Sequence, residues 1–351
     1  MKKSLFFALA GTLVLLMSCS NDFEVSAPWK NIPVVYGLMD YEDSVHYIRV
    51  EKAFLDPDAN ALDVAQIADS LYYDDATVEL ERIGSNQPIL LERVDGNKIW
   101  RLVPTGMNQY DTIFPYQRKE GIFANAPNWL YKVDANIFNL QPGDSVRLSI
   151  NRGDNLPLVT ASTTVLESSK FRGKIDKDNI GFPYNLDVTF EWSSDVDARI
   201  FDLSLVFNYV EQNVNNLDSI VHKSLVWDLV KRKRYETPLA KYEYTIKGAE
   251  FYEFLRGRIP ADPNIKRVLD PYSPIEYILT AGASDLEKYI SVATSNSGIT
   301  SSQELPVYTN LSEGLGIFSS VHVLVKDSIL LDKSTRDSLI DGIYTKDLNF
   351  N

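Results

Sequence analysis

The sequence is poor in the residues that most often carry chemistry. It has one cysteine and three histidines among 351 residues. A single cysteine leaves no internal disulfide and no zinc–thiolate cluster. The histidines, His46, His222 and His322, are widely separated, so a three-histidine metal site would need three distant segments to converge. Ordinary surface or satisfied histidines are the simpler expectation. No Gly-x-Ser-x-Gly elbow, His-Glu-x-x-His pair or phosphate-binding loop occurs. Positive charge is also scarce: 35 basic against 48 acidic side chains give a net charge of −13. Such a chain repels nucleic acid, so no nucleic-acid partner is expected.

Long apolar runs are absent except at the start. Met1-Lys2-Lys3 is a short basic segment, and Leu5 to Met17 is almost wholly apolar. That stretch is shorter than the roughly 20 residues a spanning helix needs. It fits a secretory signal peptide over residues 1–18. Leu16-Met17-Ser18-Cys19 follows and resembles the bacterial lipobox, in which a small residue precedes a cysteine that accepts the lipid. Cys19 is therefore the expected lipid-attachment residue, and residues 19–30 a lipidated tether. Several acyl chains on one residue hold a protein at a membrane where a single chain would not. Ser20, not aspartate, follows the cysteine, and Asp22 and Glu24 come soon after. The expected location is the outer membrane, lipid-anchored, with the cell surface as the favoured face. Removing the leader leaves 333 residues and takes the net charge to −15.

The body reads as mainly β. Val34–Leu38 and Val45–Val50 flank a polar turn, and Thr77–Ile83, Ser145–Ile150 and Leu158–Val165 alternate in the period of strands. Ala61–Asp69 suits a short helix. Asp95-Gly96-Asn97 between two apolar runs predicts a hairpin. These features predict an N-terminal β-sandwich, immunoglobulin-like or similar, over residues 31–167. A second β-rich α+β domain is expected over 168–351, with strands near 185–192, 198–210, 224–230, 241–246, 275–280 and 320–326. Helices are expected at 249–258, from Ser284 to Ile290, and at 332–340.

Four further features invite chemistry. Asp56-Pro57-Asp58-Ala59-Asn60 with Asp63 resembles a calcium loop, but Ala61 and Ile67 stand where an EF-hand needs glycine and a bidentate acid. Gly314-Leu315-Gly316 lacks the third glycine of a dinucleotide fingerprint and reads as a tight turn before a strand. Lys231-Arg232-Lys233-Arg234 reads as a solvated hairpin tip, with docking to an acidic partner as the sharper alternative. Trp100, Trp129, Trp192 and Trp227 lie in or beside apolar runs, which favours core packing over a sugar platform.

Pro33-Val34-Val35-Tyr36-Gly37-Leu38, Leu140-Gln141-Pro142-Gly143 and the segment Asn310-x-x-x-Gly314-Leu315-Gly316-x-Phe318 resemble a family of Bacteroidota lipoproteins of unknown function. The resemblance implies a lipoprotein often encoded beside TonB-dependent receptors, and no catalytic residues. The expected function is a non-enzymatic, lipid-anchored envelope binding or accessory protein acting with an outer-membrane partner. A TonB-dependent receptor and a glycan are the candidate partners, besides the membrane itself. A glycan-binding surface lipoprotein and an extracytoplasmic hydrolase are the alternatives. No cofactor, metal ligand or catalytic residue is assigned.

Overall fold

A computed structural model describes residues 32–53, 60–85, 87–106, 109–295 and 306–351. Cys19, the leader, the tether and Asp56 to Ala59 of the calcium-like loop lie outside the described residues. Within them the protein is mainly β, with several sheets and few helices, as the sequence predicts.

The N-terminal half holds β1 (Ile32–Met39), β2 (Val45–Ala53), α1 (Ala61–Ala65), α2 (Ala68–Leu71), β3 (Thr77–Arg82), β4 (Ile89–Leu90) and β5 (Glu92–Asp95). It continues with β6 (Arg101–Gly106), β7 (Gln109–Ile113), β8 (Trp129–Asp134), α3 (Ala135–Phe138), β9 (Ser145–Asn151) and β10 (Val159–Thr164). Two layers form. β1, β2, β8 and β5 are neighbours in one sheet, and β10, β9, β3 and β4 make the other. Alternate residues of both layers meet in one core that includes Val35, Ile48, Val78, Leu80, Tyr131, Leu148, Ile150 and Val159. The period-two pattern thus produces a sandwich because each strand has one apolar face to hide.

The second half holds β11 (Lys170–Arg172), β12 (Asn179–Ile180), β13 (Asp187–Ser193), β14 (Ala198–Asn213), β15 (Asn216–Arg234), β16 (Tyr242–Lys247) and α4 (Gly248–Arg258). β17 (Ile265–Leu269), β18 (Ile275–Ala283), α5 (Ser284–Ser295), β19 (Leu315–Leu331) and α6 (Lys333–Asp341) complete it. A three-stranded sheet, β11-β13-β16, shares a core with β14, β18, α4 and α6. Trp192 lies at its centre, fully buried, stacked on Tyr242 and tilted against Phe201. Asp332 caps α6 by accepting a 2.7 Å hydrogen bond from the Thr335 amide.

The halves share a strand. β19 pairs parallel with β1 through Leu315–Ser320, then antiparallel with β18 through Val321–Ile329, then parallel with β12 at Leu330 and Leu331. One sheet of ten strands therefore runs through both halves, in the order β15-β14-β18-β19-β1-β2-β8-β5, with β12 and β17 beside it. Leu311 and Phe318, late in the chain, pack in the N-terminal core.

Three expectations are corrected. Asp95-Gly96-Asn97 is not a hairpin turn. The Asp95 carboxylate accepts the amides of Asn97 and Asn128 at 3.1 Å each, and Gly96 donates to the Asn128 carbonyl at 2.7 Å. These bonds wind the segment into a 3₁₀ turn, so β5 pairs with β8 and β6 with β7. The helix expected over 61–69 is two short helices that part at Gln66-Ile67. Lys231–Arg234 is not a hairpin tip either: the β14–β15 turn is at Val214-Asn215, and the basic run ends β15 at its other extremity.

Candidate binding face

The segment from Asn310 to Phe318 has a structural explanation. Gly314 and Gly316 take φ of +105° and +103°, and a Cβ at either would collide with β1, at the carbonyls of Pro33 and Val35. The Asn310 side chain then acts as a piece of backbone. It accepts the Phe318 amide at 3.0 Å and donates to the Phe318 carbonyl at 2.7 Å. The Pro33–Leu38 segment is the strand against which this motif lies, with Val34 opposite Leu315 and Tyr36 opposite Ile317.

A buried polar group sits at the same joint. The Asp40 carboxylate accepts the amides of Val323 at 2.9 Å and Glu42 at 3.1 Å, and lies 3.5 Å from His322 Nδ1. Burial alone would raise the Asp40 pKa, but the His322 contact and the two amides outweigh it and hold the carboxyl below its usual value. Tyr41 stacks on the His322 ring at 5.2 Å. Ser319 and Ser320 are nearby in β19, so serine, histidine and aspartate do gather here. Ser320 Oγ, however, donates to the Met39 carbonyl at 2.8 Å and accepts the Leu166 amide at 2.9 Å. Both serines are fully buried. The group joins β1, β19 and the start of the second half, with no route for a substrate to the hydroxyl.

His46 and His322 depart from the expectation of surface or satisfied histidines. Both are buried at 1% exposure; both ring nitrogens of His46 and Nε2 of His322 lack a hydrogen-bond partner among the described residues. Burial lowers the His46 pKa, against the pull of Asp40. His222 is on β15, 3.7 Å from Asp270. Among the described residues no three His, Cys, Asp or Glu side chains gather to hold a metal. Of the tryptophans, Trp192 is core, Trp227 stacks on Phe254 at 5.0 Å, and Trp129 lies under Arg93. Trp100 is exposed instead. The basic run is largely spoken for: Lys231 pairs with Asp228, Arg234 with Glu287 and Ser291, and Lys233 lies over Tyr235.

An accessible surface rich in tyrosine and arginine is the outer face of β1 and β2. Register places Tyr36 beside Arg49 and Val34 beside Glu51, with the core on the other side. Tyr36 and Leu38 are exposed. The Tyr289 hydroxyl, brought in by α5, donates to the Tyr36 hydroxyl at 3.2 Å. Burial pushes the Tyr36 phenol up to about 12. Tyr47 packs against Tyr116 at 4.5 Å between ring centres. Next to them Arg49 and Arg118 both bind one Glu51 carboxylate oxygen, which leaves one positive charge in excess. Arg49 is further fixed by Asn128 Oδ1 at 2.7 Å, and the Asn128 amide nitrogen donates to the Tyr116 carbonyl at 2.6 Å. A shallow cavity of about 260 Å³ opens here, lined by Arg49, Glu51, Arg118, Lys119, Gly121 and Phe123. Alternation in β1 and β2 marks part of this face in the sequence. Tyr116, Arg118 and Tyr289 come from distant segments and carry no local signal.

No family model matches the chain, and no curated protein matches it. Among solved structures, the C-terminal globular domain of an oligosaccharyltransferase from Pyrococcus abyssi aligns at 10% identity and a TM-score of 0.21. The alignment covers 66% of this chain and 42% of that one. So low a score carries no argument about fold or function.

Proposed function

We propose that this chain is a lipid-anchored accessory protein of the bacterial cell envelope, held through Cys19 and docking an outer-membrane protein partner through the outer face of β1 and β2. The observation that supports this reading is the composition of that face. Protein-binding surfaces are enriched in tyrosine and arginine that are already held in place before the partner arrives. Here Tyr36, Tyr47, Tyr116 and Tyr289 surround two arginines fixed by Glu51 and Asn128. Little side-chain freedom is left to lose on association.

The test is gentle detergent extraction of tagged protein from native membranes, followed by identification of stoichiometric partners. The wild-type chain should bring down an outer-membrane protein, and Tyr36→Glu with Arg118→Glu should lose it while remaining folded. Recovery of the same partner by the double variant would sink this assignment of the face. Labelled palmitate should enter the wild-type chain and not Cys19→Ser; equal labelling of both would sink the anchor.

A further inference from the structure

We propose that β15 is a self-association edge, through which two copies of this chain pair antiparallel about a two-fold axis and join their sheets. β15 is the terminal strand of the ten-stranded sheet and is 19 residues long, against a usual five or six. Its two ends are built differently. Toward the C-terminus the ladder with β14 is interrupted between Phe201 and Ser204, Arg232 takes φ of +49°, and four basic residues follow one another. Bulges and cations are the means by which sheets protect an open edge from another strand. From Ile220 to Asp228 the pairing with Ser204–Gln212 is unbroken over nine residues, no bulge interrupts it, and Lys223 is the one lysine or arginine. That stretch and its approach expose Leu217, Ile220, Val221 and Val226. A long, regular edge with apolar side chains is a template for another strand.

The strand fits a second copy of itself. A two-fold axis across the sheet keeps each face on its own side, so odd positions meet odd and even meet even. The register centred on Ser224 pairs the whole regular segment with itself. Val221 then faces Trp227, His222 faces Val226, and Ile220 faces Asp228, with His222 of each copy diagonal to the other's Asp228. No like charges stand opposite each other. Moving the centre to Lys223 would set Lys223 against itself and Asp218 against Asp228, which like-charge repulsion disfavours. The exposed Ser224 position therefore lies on the axis.

Sedimentation velocity over a concentration series tests the proposal. The wild-type chain should show a reversible monomer–dimer equilibrium, and Ile220→Lys with Val226→Lys should weaken it by about ten-fold or more. Both side chains are already exposed, so the fold should persist, as far-ultraviolet circular dichroism would verify. In a Cys19→Ser background, Ser224→Cys should form a cross-linked dimer under mild oxidation faster than Val226→Cys. A wild-type chain that stays monomeric, a dimer unaffected by the two lysines, or equal cross-linking at both positions would each overturn the proposal.

Discussion

The two halves of the molecule hide their strands with different chemistry. Among the described residues, the N-terminal core has four aromatic residues of twenty, and the rest are aliphatic. The C-terminal core has twelve of thirty-two, with Trp192 at its centre. The difference follows from what lies over each sheet. Two facing sheets of short strands interdigitate with Val, Ile and Leu. In the second half helices α4 and α6 share the inner layer with strands, and large flat rings fill the uneven spaces that result. Phe182 on Phe251 and Trp192 on Tyr242 are stacked pairs of this kind.

The largest test of the contrast is at Trp192. Trp192→Ala should cost about 3–5 kcal/mol, because a cavity lined by rings collapses poorly. Hydrogen exchange should then accelerate in β13, β14 and β18 and stay near wild type in β3 and β9. Uniform acceleration would show that the two cores unfold as one. A smaller loss is expected for Asn310→Leu, about 1–3 kcal/mol, since the Phe318 amide and carbonyl lose their partner. Because Phe318 belongs to the N-terminal core, this change late in the chain should raise exchange in β1 and β2; an effect confined to the C-terminal strands would contradict the shared-strand arrangement.

The pH dependence sharpens the comparison at the joint. The folded protein holds His46 below its ordinary pKa, so below about pH 6.5 the unfolded chain binds more protons. Stability from His46 is thus present above that value and is lost as pH falls through it. Asp40 acts in the same direction at lower pH, its stability present above the ordinary carboxylate value and lost below it. Asp40 is the carboxylate that draws a proton to His46, and Phe138 is the ring against it. His46→Leu should flatten denaturant midpoints between pH 7 and 5; an unchanged slope would place the effect elsewhere. The smallest effect is expected at Arg49→Ala, about 1 kcal/mol in stability, since Glu51 keeps Arg118 as its partner and only Asn128 Oδ1 loses one. Its consequence should appear in partner recovery.

Both halves were legible as β in the sequence, for the same reason: alternation survives wherever one face is solvated. The hairpin predicted at Asp95-Gly96-Asn97 failed because Asn128, 31 positions on from Asn97, captures Gly96 and Asp95, and a window along the chain does not see it. β15 was legible only over its apolar middle, since its polar ends are held by pairing with β14. The histidines misled because alternation in β2 and β19 does not say which face is solvated. Gly314-Leu315-Gly316 reads in the sequence as a tight turn before a strand; β19 begins at Leu315, so Gly316 lies inside it, and what both glycines approach lies some 280 residues earlier, at Pro33 and Val35.

The position of β19 also sets an order of events as the chain is made. The N-terminal sandwich has its second sheet, β10-β9-β3-β4, complete once residue 164 has emerged. In its first sheet β1 has only β2 beside it until Leu315–Ser320 arrive, and its core lacks Leu311 and Phe318. Non-local pairings of this length form late and leave an edge open in the meantime. The part of the protein synthesised first is therefore among the last to close.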